Sequence, residues 1–205
     1  MAIGMKIDLH CHTKYSLDNV FDPVQLIREA YEKGLDGVCI TDHFSVEASR
    51  PVDKIRKPEG FLVFRGVEIS TTLGHMLAFG LRDDAWNIWG RDFYLDTCSV
   101  VASVRSKGGI CVPSHPYRPV ESMADLAFDR ALFDAVEAVN GGNLPEWNER
   151  AAEKAGIIGM PCIGGSDCHG PGKVGRAYTV FDNPVTTLAG LVEEIRQGRC
   201  RPEKP

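Results

Sequence analysis

Short apolar runs of strand type alternate along this chain with stretches whose apolar residues recur at helical spacing, and this alternation constrains the fold more than any other feature of the sequence. The strand-type runs are Met5 to Leu9, GVCIT (37–41), FLVFRGVEI (61–69), GHMLAFGL (74–81), GICVP (109–113), AVEAVN (135–140), IGMPCIGGSD (158–167) and AYTVF (177–181). After the first run, Asp22-Pro23 suits a helix start, Val24, Leu26, Ile27, Ala30 and Tyr31 share a helical face, and Gly34 suits its end. Further helices are expected from Asp92 to Lys107, from Pro145 to Ala155 and from Thr186 to Arg196, where the last closes the chain. The pattern predicts an α/β architecture with a mostly parallel sheet in one domain over residues 1–205. An eight-unit barrel takes about 250 residues, so this length suits a shortened barrel of about seven units or an open doubly wound sheet. Ser45 to Gly60 and Pro116 to Asp129 read as long loops.

Composition excludes more than it names. A formal charge of -5 argues against binding nucleic acid or anionic membrane through a broad positive field, though a local anion site is compatible with it. No apolar run reaches the roughly 18 residues of a membrane span, and no basic-then-apolar leader opens the chain, so the expectation is a cytoplasmic protein. Seven cysteines without CxxC spacing suit neither a disulfide framework nor a zinc knuckle, and read as small buried apolar residues. Dinucleotide (GxGxxG after the first strand) and P-loop (GxxxxGK[ST]) signatures are missing. Trp86, Trp89, Phe93 and Tyr94 read as a cluster packed on the core rather than as an interface.

The six histidines, His10, His12, His43, His75, His115 and His169, lie at or just beyond strand-type runs. In parallel α/β folds, groups from distant parts of the chain gather at the carboxyl ends of strands. His75 opens its run, so an antiparallel strand is needed to bring it to that end. Acids accompany them: Asp18, Asp42 before His43, Glu68, and Asp167 two residues before His169. Residues two apart on a strand share a face, which pairs His10 with His12 and Asp167 with His169, and turns Cys11 and Cys168 the other way. Taken singly, each motif has an ordinary structural reading: TDH as a turn, SHPYR as a loop, Asp167 as a helix cap. Together they point to a polynuclear metal site.

The ordered set "DLHCHTKYSLD", "ITDH", a strand-end Glu, a His, "PSHPYR" and "GGSDCHG" resembles the PHP (polymerase and histidinol phosphatase) family. The resemblance runs from Asp8 to about Phe181 and includes "EAVNGGN" followed by "NERAAEKAG". It implies a distorted (β/α)7 TIM-like barrel and a hydrolase of phosphate esters that uses a metal-bound hydroxide. Carried over by position, it implies one metal on His10, His12, Glu68 and Asp167, a second on Glu68, His75 and His115, and a third on Asp18, His43 and His169. Asp18 stands where some members have histidine. Asp42 is expected behind the site, orienting a ligand histidine. His10, His12, Glu68, Asp167 and His169 are the expected catalytic set.

Imidazole and carboxylate without thiolate suits two to three divalent ions of Zn, Mn or Fe. Three such ions exceed the charge of Asp18, Glu68 and Asp167, so the occupied site attracts anions and can drive displacement at phosphorus. Arg118 and Arg176 are candidates to clamp phosphate oxygens, whereas Lys14 and Lys173 read as solvated charges. A small phosphorylated substrate is expected, with no stable nucleic-acid complex and no membrane partner; oligomeric state is unreadable. The alternatives are a phosphodiesterase or short-oligonucleotide exonuclease, an amidohydrolase, and a non-catalytic PHP module. An amidohydrolase would commonly show a lysine where Glu68 stands. A non-catalytic module commonly loses ligands, and none is lost here. The short spans His43 to Glu68 and His75 to His115 leave no room for the long capping insertion of some nucleotide-acting relatives.

Overall fold

The computed structural model describes residues 4–90 and 94–205, so Phe93 and the expected helix start at Asp92 lie outside the described residues. Ten strands and four helices follow in the order β1 (Met5–Cys11), α1 (Pro23–Glu32), β2 (Gly37–Ile40), β3 (Leu62–Arg65), β4 (Val67–Thr71), β5 (Gly74–Phe79), α2 (Thr97–Ser106), β6 (Ile110–Pro113), β7 (Val136–Asn140), α3 (Pro145–Ile158), β8 (Cys162–Gly165), β9 (Tyr178–Phe181), α4 (Leu188–Arg196) and β10 (Cys200–Glu203). Local chemistry explains the helix ends. Asp22 caps α1 by accepting from Val24 N, Asp96 caps α2 through Ser99 N, and Gly159 ends α3 with a φ of 63°.

The architecture is α/β, but the sheet pairing corrects the expectation of a mostly parallel sheet. The described strands form three ladders, β10-β9-β1-β2-β3, β4-β5-β6 and β7-β8, rather than one closed ring. Only β1-β2, β2-β3 and β7-β8 pair in parallel; β9 pairs antiparallel with β1 and β10 antiparallel with β9, and β4-β5-β6 is antiparallel throughout. The run 61–69 breaks at Gly66, between β3 and β4, which belong to different ladders. α3 continues to Ile158, so the run 158–167 keeps only four residues as β8. β10 went unforeseen because Cys-Arg-Pro-Glu carries two charges and a proline, a composition tolerated on an edge strand.

All three ladders contribute to one apolar core: Ile7, Leu9, Cys39 and Phe64 from the first, Leu77, Phe79, Ile110 and Val112 from the second, Ile163 from the third with Ala135 just before β7, closed by Leu191, Val192 and Ile195 of α4. The opposite strand faces pack outward, Cys11, Val38 and Ile40 against α1 and Met76, Ala78, Cys111, Val136 and Ala138 among the residues facing α2 and α3. Trp86 is fully buried in that outer layer, Trp89 packs against it, and Tyr94 is exposed. Among the described residues no helix is long and apolar enough to cross a membrane.

One irregularity in β1 decides what faces the core. Asp8 pairs with Val38 but Cys11 pairs with Ile40, so β1 carries one residue more than β2 over that interval. Such a bulge reverses the alternation of faces. Ile7 and Leu9 therefore lie in the inner core, Cys11 lies in the outer layer with its partner Ile40, and His10 can still face inward above Leu9.

At Gly66 a Cβ would sit 2.8 Å from the carbonyl oxygen of Ala78 and 3.1 Å from Phe79. Gly66→Ala is expected to destabilise the fold by about 1–3 kcal/mol, the usual size of an overpacking strain. Urea unfolding of the purified variant at fixed metal concentration measures this.

Candidate metal centre

The carboxyl ends of β1, β2 and β8 bring His10, His12, His43, Asp167 and His169 together, and the loop after β6 delivers His115. β4 and β5 supply Glu68 and His75, and their antiparallel pairing, Ser70 opposite His75, is what carries His75 to the same end. An isolated parallel bridge between His43 and Glu68 joins the first two ladders, and another between Cys11 and Cys168 joins β1 to the segment after β8. Close approach is enforced at Gly165, where a Cβ would press into the Cβ of His10 and lie 2.7 Å from its backbone nitrogen.

Glu68 is the hub. Its Oε2 lies 3.2 Å from His10 Nε2, 3.1 Å from His12 Nε2 and 3.6 Å from His43 Nε2. Its Oε1 lies 3.1 Å from His115 Nε2 and 3.5 Å from His75 Nδ1, and accepts a hydrogen bond from Ser114 Oγ at 2.8 Å. Asp167 Oδ1 faces His10 at 3.5 Å, His12 at 3.6 Å and His169 Nδ1 at 3.4 Å. Asp18 Oδ2 closes the outer side, 2.9 Å from His169 Nε2 and 3.5 Å from His43 Nε2. Three overlapping groups have the spacing to hold an ion: His12, Asp18, His43 and His169; His10, His12 and Asp167; and His43, Glu68 and His75.

The donor set fits divalent metal for a physical reason. His10 Nε2 and His12 Nε2 stand only 3.0 Å apart, both against one oxygen of Glu68. A proton on one of those nitrogens bonds only one neighbour well, whereas a divalent cation accepts all three lone pairs at once. Nδ1 of His12, His43 and His115 is buried without a hydrogen-bond partner among the described residues. Thiolates are excluded, since Cys11 and Cys168 are buried in the outer layer.

The electrostatics of the metal-free cluster follow from burial against charge. Burial pushes the His12 ring down to about 4, beyond what Glu68 restores. Burial also opposes charge on His10, yet Glu137, Glu68 and Asp167 outweigh it and hold that ring well above its ordinary value. His43 and His169 are raised in spite of burial, chiefly through Asp18. Glu68 and Asp167 are held below the usual carboxylate range because His10 and its neighbours outweigh their burial.

All nine residues expected to ligate metal thus meet in one cluster. Arg118 also reaches it: Nη2 donates to Asp167 Oδ2 at 2.7 Å and to Asn140 Oδ1 at 3.0 Å, and Nε donates to Asn143 Oδ1 at 3.1 Å. Arg176 does not: it is exposed and lines a separate cavity with Lys6, Lys33 and Tyr178. Lys14 pairs with Asp22 at the surface. Asp42 is corrected. It orients no histidine but accepts from Thr13 N at 2.6 Å and Thr13 Oγ1 at 2.7 Å, clamping the turn after His12, and burial pushes it up to about 6.

Three residues were missed. Glu137 accepts from His10 Nδ1 at 2.9 Å, and its sequence signal was an acid at an inward position of an otherwise apolar run. Asp8 is fully buried and accepts from the backbone of His10, Ser166 and Gly175, tying β1 to the segments flanking β9 and β8. Glu121 lies 3.8 Å from His75 Nε2 at a φ of 57°, in a loop with no periodic signal.

Comparison with known proteins places this geometry in a family. Residues 8–109 match the PHP domain and residues 145–200 match the PHP-associated family. A protein of Methanocaldococcus jannaschii of uncharacterised role is 33% identical over 147 residues, covering 66% of this chain and 82% of that one. A protein of Caldicellulosiruptor saccharolyticus named a probable phosphatase is 36% identical over 162 residues, covering 68% of this chain and 66% of its own. Among solved structures, a two-domain Bacteroides vulgatus protein containing a predicted PHP-like metal-dependent phosphoesterase has a TM-score of 0.72 at 20% identity, with 98% of this chain and 64% of that chain covered. A lesion-specific endonuclease of Pyrococcus furiosus has a TM-score of 0.73 at 17% identity, covering 94% and 56%. The chain spans between about half and two thirds of both solved structures. It belongs to the PHP family.

Metal uptake must displace protons from rings held above their ordinary value, His10, His43 and His169, because only neutral imidazole ligates. Apparent metal affinity is therefore expected to rise with pH through the neutral range, by roughly tenfold per unit for each proton released. Calorimetric titration with Zn²⁺ or Mn²⁺ in buffers of different ionisation enthalpy counts those protons; an affinity flat from pH 6 to 8 would contradict it.

Proposed function

We propose that this PHP protein is a metal-dependent phosphoesterase with a trinuclear site, acting on a small phosphorylated substrate. The observation that carries the reading is the meeting of all six histidines of the chain with Glu68, Asp167 and Asp18 at one end of the strands. Glu68 turns one oxygen to His10 and His12 and the other to His75 and His115, as a carboxylate shared by two ions would. His10, His12, Glu68 and Asp167 hold the first ion, Glu68, His75 and His115 the second, and Asp18, His43 and His169 the third. Zn, Mn and Fe all suit these donors.

When bound, such ions supply a nucleophile at neutral pH and stabilise charge on the attacking and leaving oxygens at phosphorus. The residues of the chain do the rest. Arg118, partly exposed and steadied by Asp167, Asn140 and Asn143, is placed to clamp a phosphate oxygen beside the cluster. Asp18 and His169 are the most exposed of the nine proposed ligands and mark the mouth through which substrate enters. Arg176 serves a phosphate only if the substrate reaches beyond the cluster.

In this reading residues 1–205 form one domain, the three ladders are segments of a distorted seven-unit barrel bridged by His43-Glu68 and Cys11-Cys168, and the protein works in the cytoplasm. A phosphodiester substrate is the second reading, favoured by the fold shared with an endonuclease. The acidic net charge speaks for the small substrate.

Chelation is expected to abolish hydrolysis of p-nitrophenyl phosphate, and added Mn²⁺ or Zn²⁺ to restore it. His10→Ala is expected to fall to background, and Arg118→Ala to lose about 10²-fold in kcat/KM, the scale of one oxyanion donor. Faster turnover of bis-p-nitrophenyl phosphate would move the assignment to the diester reading, and undiminished activity in His10→Ala would remove the site altogether.

A further inference from the structure

Glu137 sits in the middle of β7 opposite Ile163, a residue of the inner core, and is fully buried. Among the described residues no lysine or arginine pairs with it; its ion-pair partner is the His10 ring. A buried carboxylate is tolerated only where hydrogen bonds and a positive group compensate it. Both oxygens are used. Oε1 accepts from His10 Nδ1 at 2.9 Å, while Oε2 accepts from the backbone N of His115 at 2.8 Å and from Asn140 Nδ2 at 2.9 Å.

These two contacts serve opposite sides of Glu68. A proton on His10 Nδ1, held by Glu137, leaves Nε2 as the lone pair aimed at Glu68 Oε2 and His12. His115 carries a φ of 36°, a conformation that a residue with a Cβ rarely adopts, and its N–H is directed at Glu137 Oε2. Holding that backbone aims His115 Nε2 at the other oxygen, Glu68 Oε1, at 3.1 Å. Asn140, which steadies Oε2, also accepts from Arg118.

We propose that Glu137 is a positioning residue that couples two ions of the site: one carboxylate fixes the ring of His10 and the backbone of His115, so the ligands on either side of Glu68 are set together. The inference rests on the metal-site reading above and adds a residue outside the ligand set.

Three measurements on the full chain test it. In Glu137→Gln, competition with a chromophoric chelator should show Zn²⁺ affinity weakened about 10–100-fold, the usual effect of removing a group that orients a ligand. Glu137→Asp keeps the charge but is one methylene too short to span both partners, and should weaken binding likewise. The visible spectrum of the Co²⁺-loaded variants should change in band position as well as amplitude, which mere loss of stability would not produce. In the Zn²⁺-loaded wild-type protein, ¹⁵N-histidine spectra should show His10 protonated at Nδ1 and ligated through Nε2, a readout that needs no variant to fold. Wild-type affinity and spectrum in Glu137→Gln, or ligation of His10 through Nδ1, would overturn the proposal. If His10→Ala also kept its metal, the site reading would fail as a whole; if only the Glu137 variants behaved as wild type, this inference alone would fall.

Discussion

The extra residue between Asp8 and Cys11 is the constraint on which the rest of the site depends. Strict alternation would send His10 to the face opposite Ile7 and Leu9, either burying a polar ring among α1 side chains or removing two apolar residues from the core. The bulge lets β1 serve both needs, with Ile7 and Leu9 in the inner core and His10 and His12 fully buried above it. β7 repeats the device with a register shift between Glu137 and Val139, and Glu137 is the residue that meets His10 from across the core. Two local irregularities in strands 127 residues apart thereby meet in one hydrogen bond.

The site is stratified by burial. At its floor, His10, His12, His115 and Glu68 are almost wholly buried, and the charges of His10 and Glu68 settle against one another rather than against water. At its mouth, Asp18 and His169 remain part-exposed, which leaves an approach for substrate. Behind the floor, a layer of hydrogen-bonding side chains holds the ligand-bearing segments: Asp8 accepts from three backbone N–H groups, Asp42 from Thr13, Glu137 from His10 and His115, and Ser114 donates to Glu68. Strain marks the same region, for Asp167 and His115 both take positive φ without being glycine.

Much of this was legible in the chain before any coordinates. Residues two apart on a strand share a face, so His10 with His12 read correctly, and Cys11 fell to the outer layer as expected. His75 carried its own condition, an antiparallel strand, and β5 meets it. Other expectations failed for definable reasons. The run 61–69 is continuous in pattern, but Gly66 divides it between two ladders because only a residue without a Cβ fits beneath the carbonyl of Ala78. Asp42 neighbours a histidine in sequence yet turns to Thr13, whereas Glu137, which opens EAVNGGN and neighbours no histidine in sequence, turns to His10.

The sequence by itself determined the α/β class, the start of α1 at Asp22 and the placing of the histidines and their acids at strand ends, because these depend on residue type, short-range periodicity and local capping chemistry. Tertiary structure alone decided the sheet pairing, the face on which each strand presents its residues after a bulge, and which carboxylates stand behind the histidines. Those depend on register and on contacts across long separations, where a shift of one residue exchanges inside for outside and leaves no trace in local pattern.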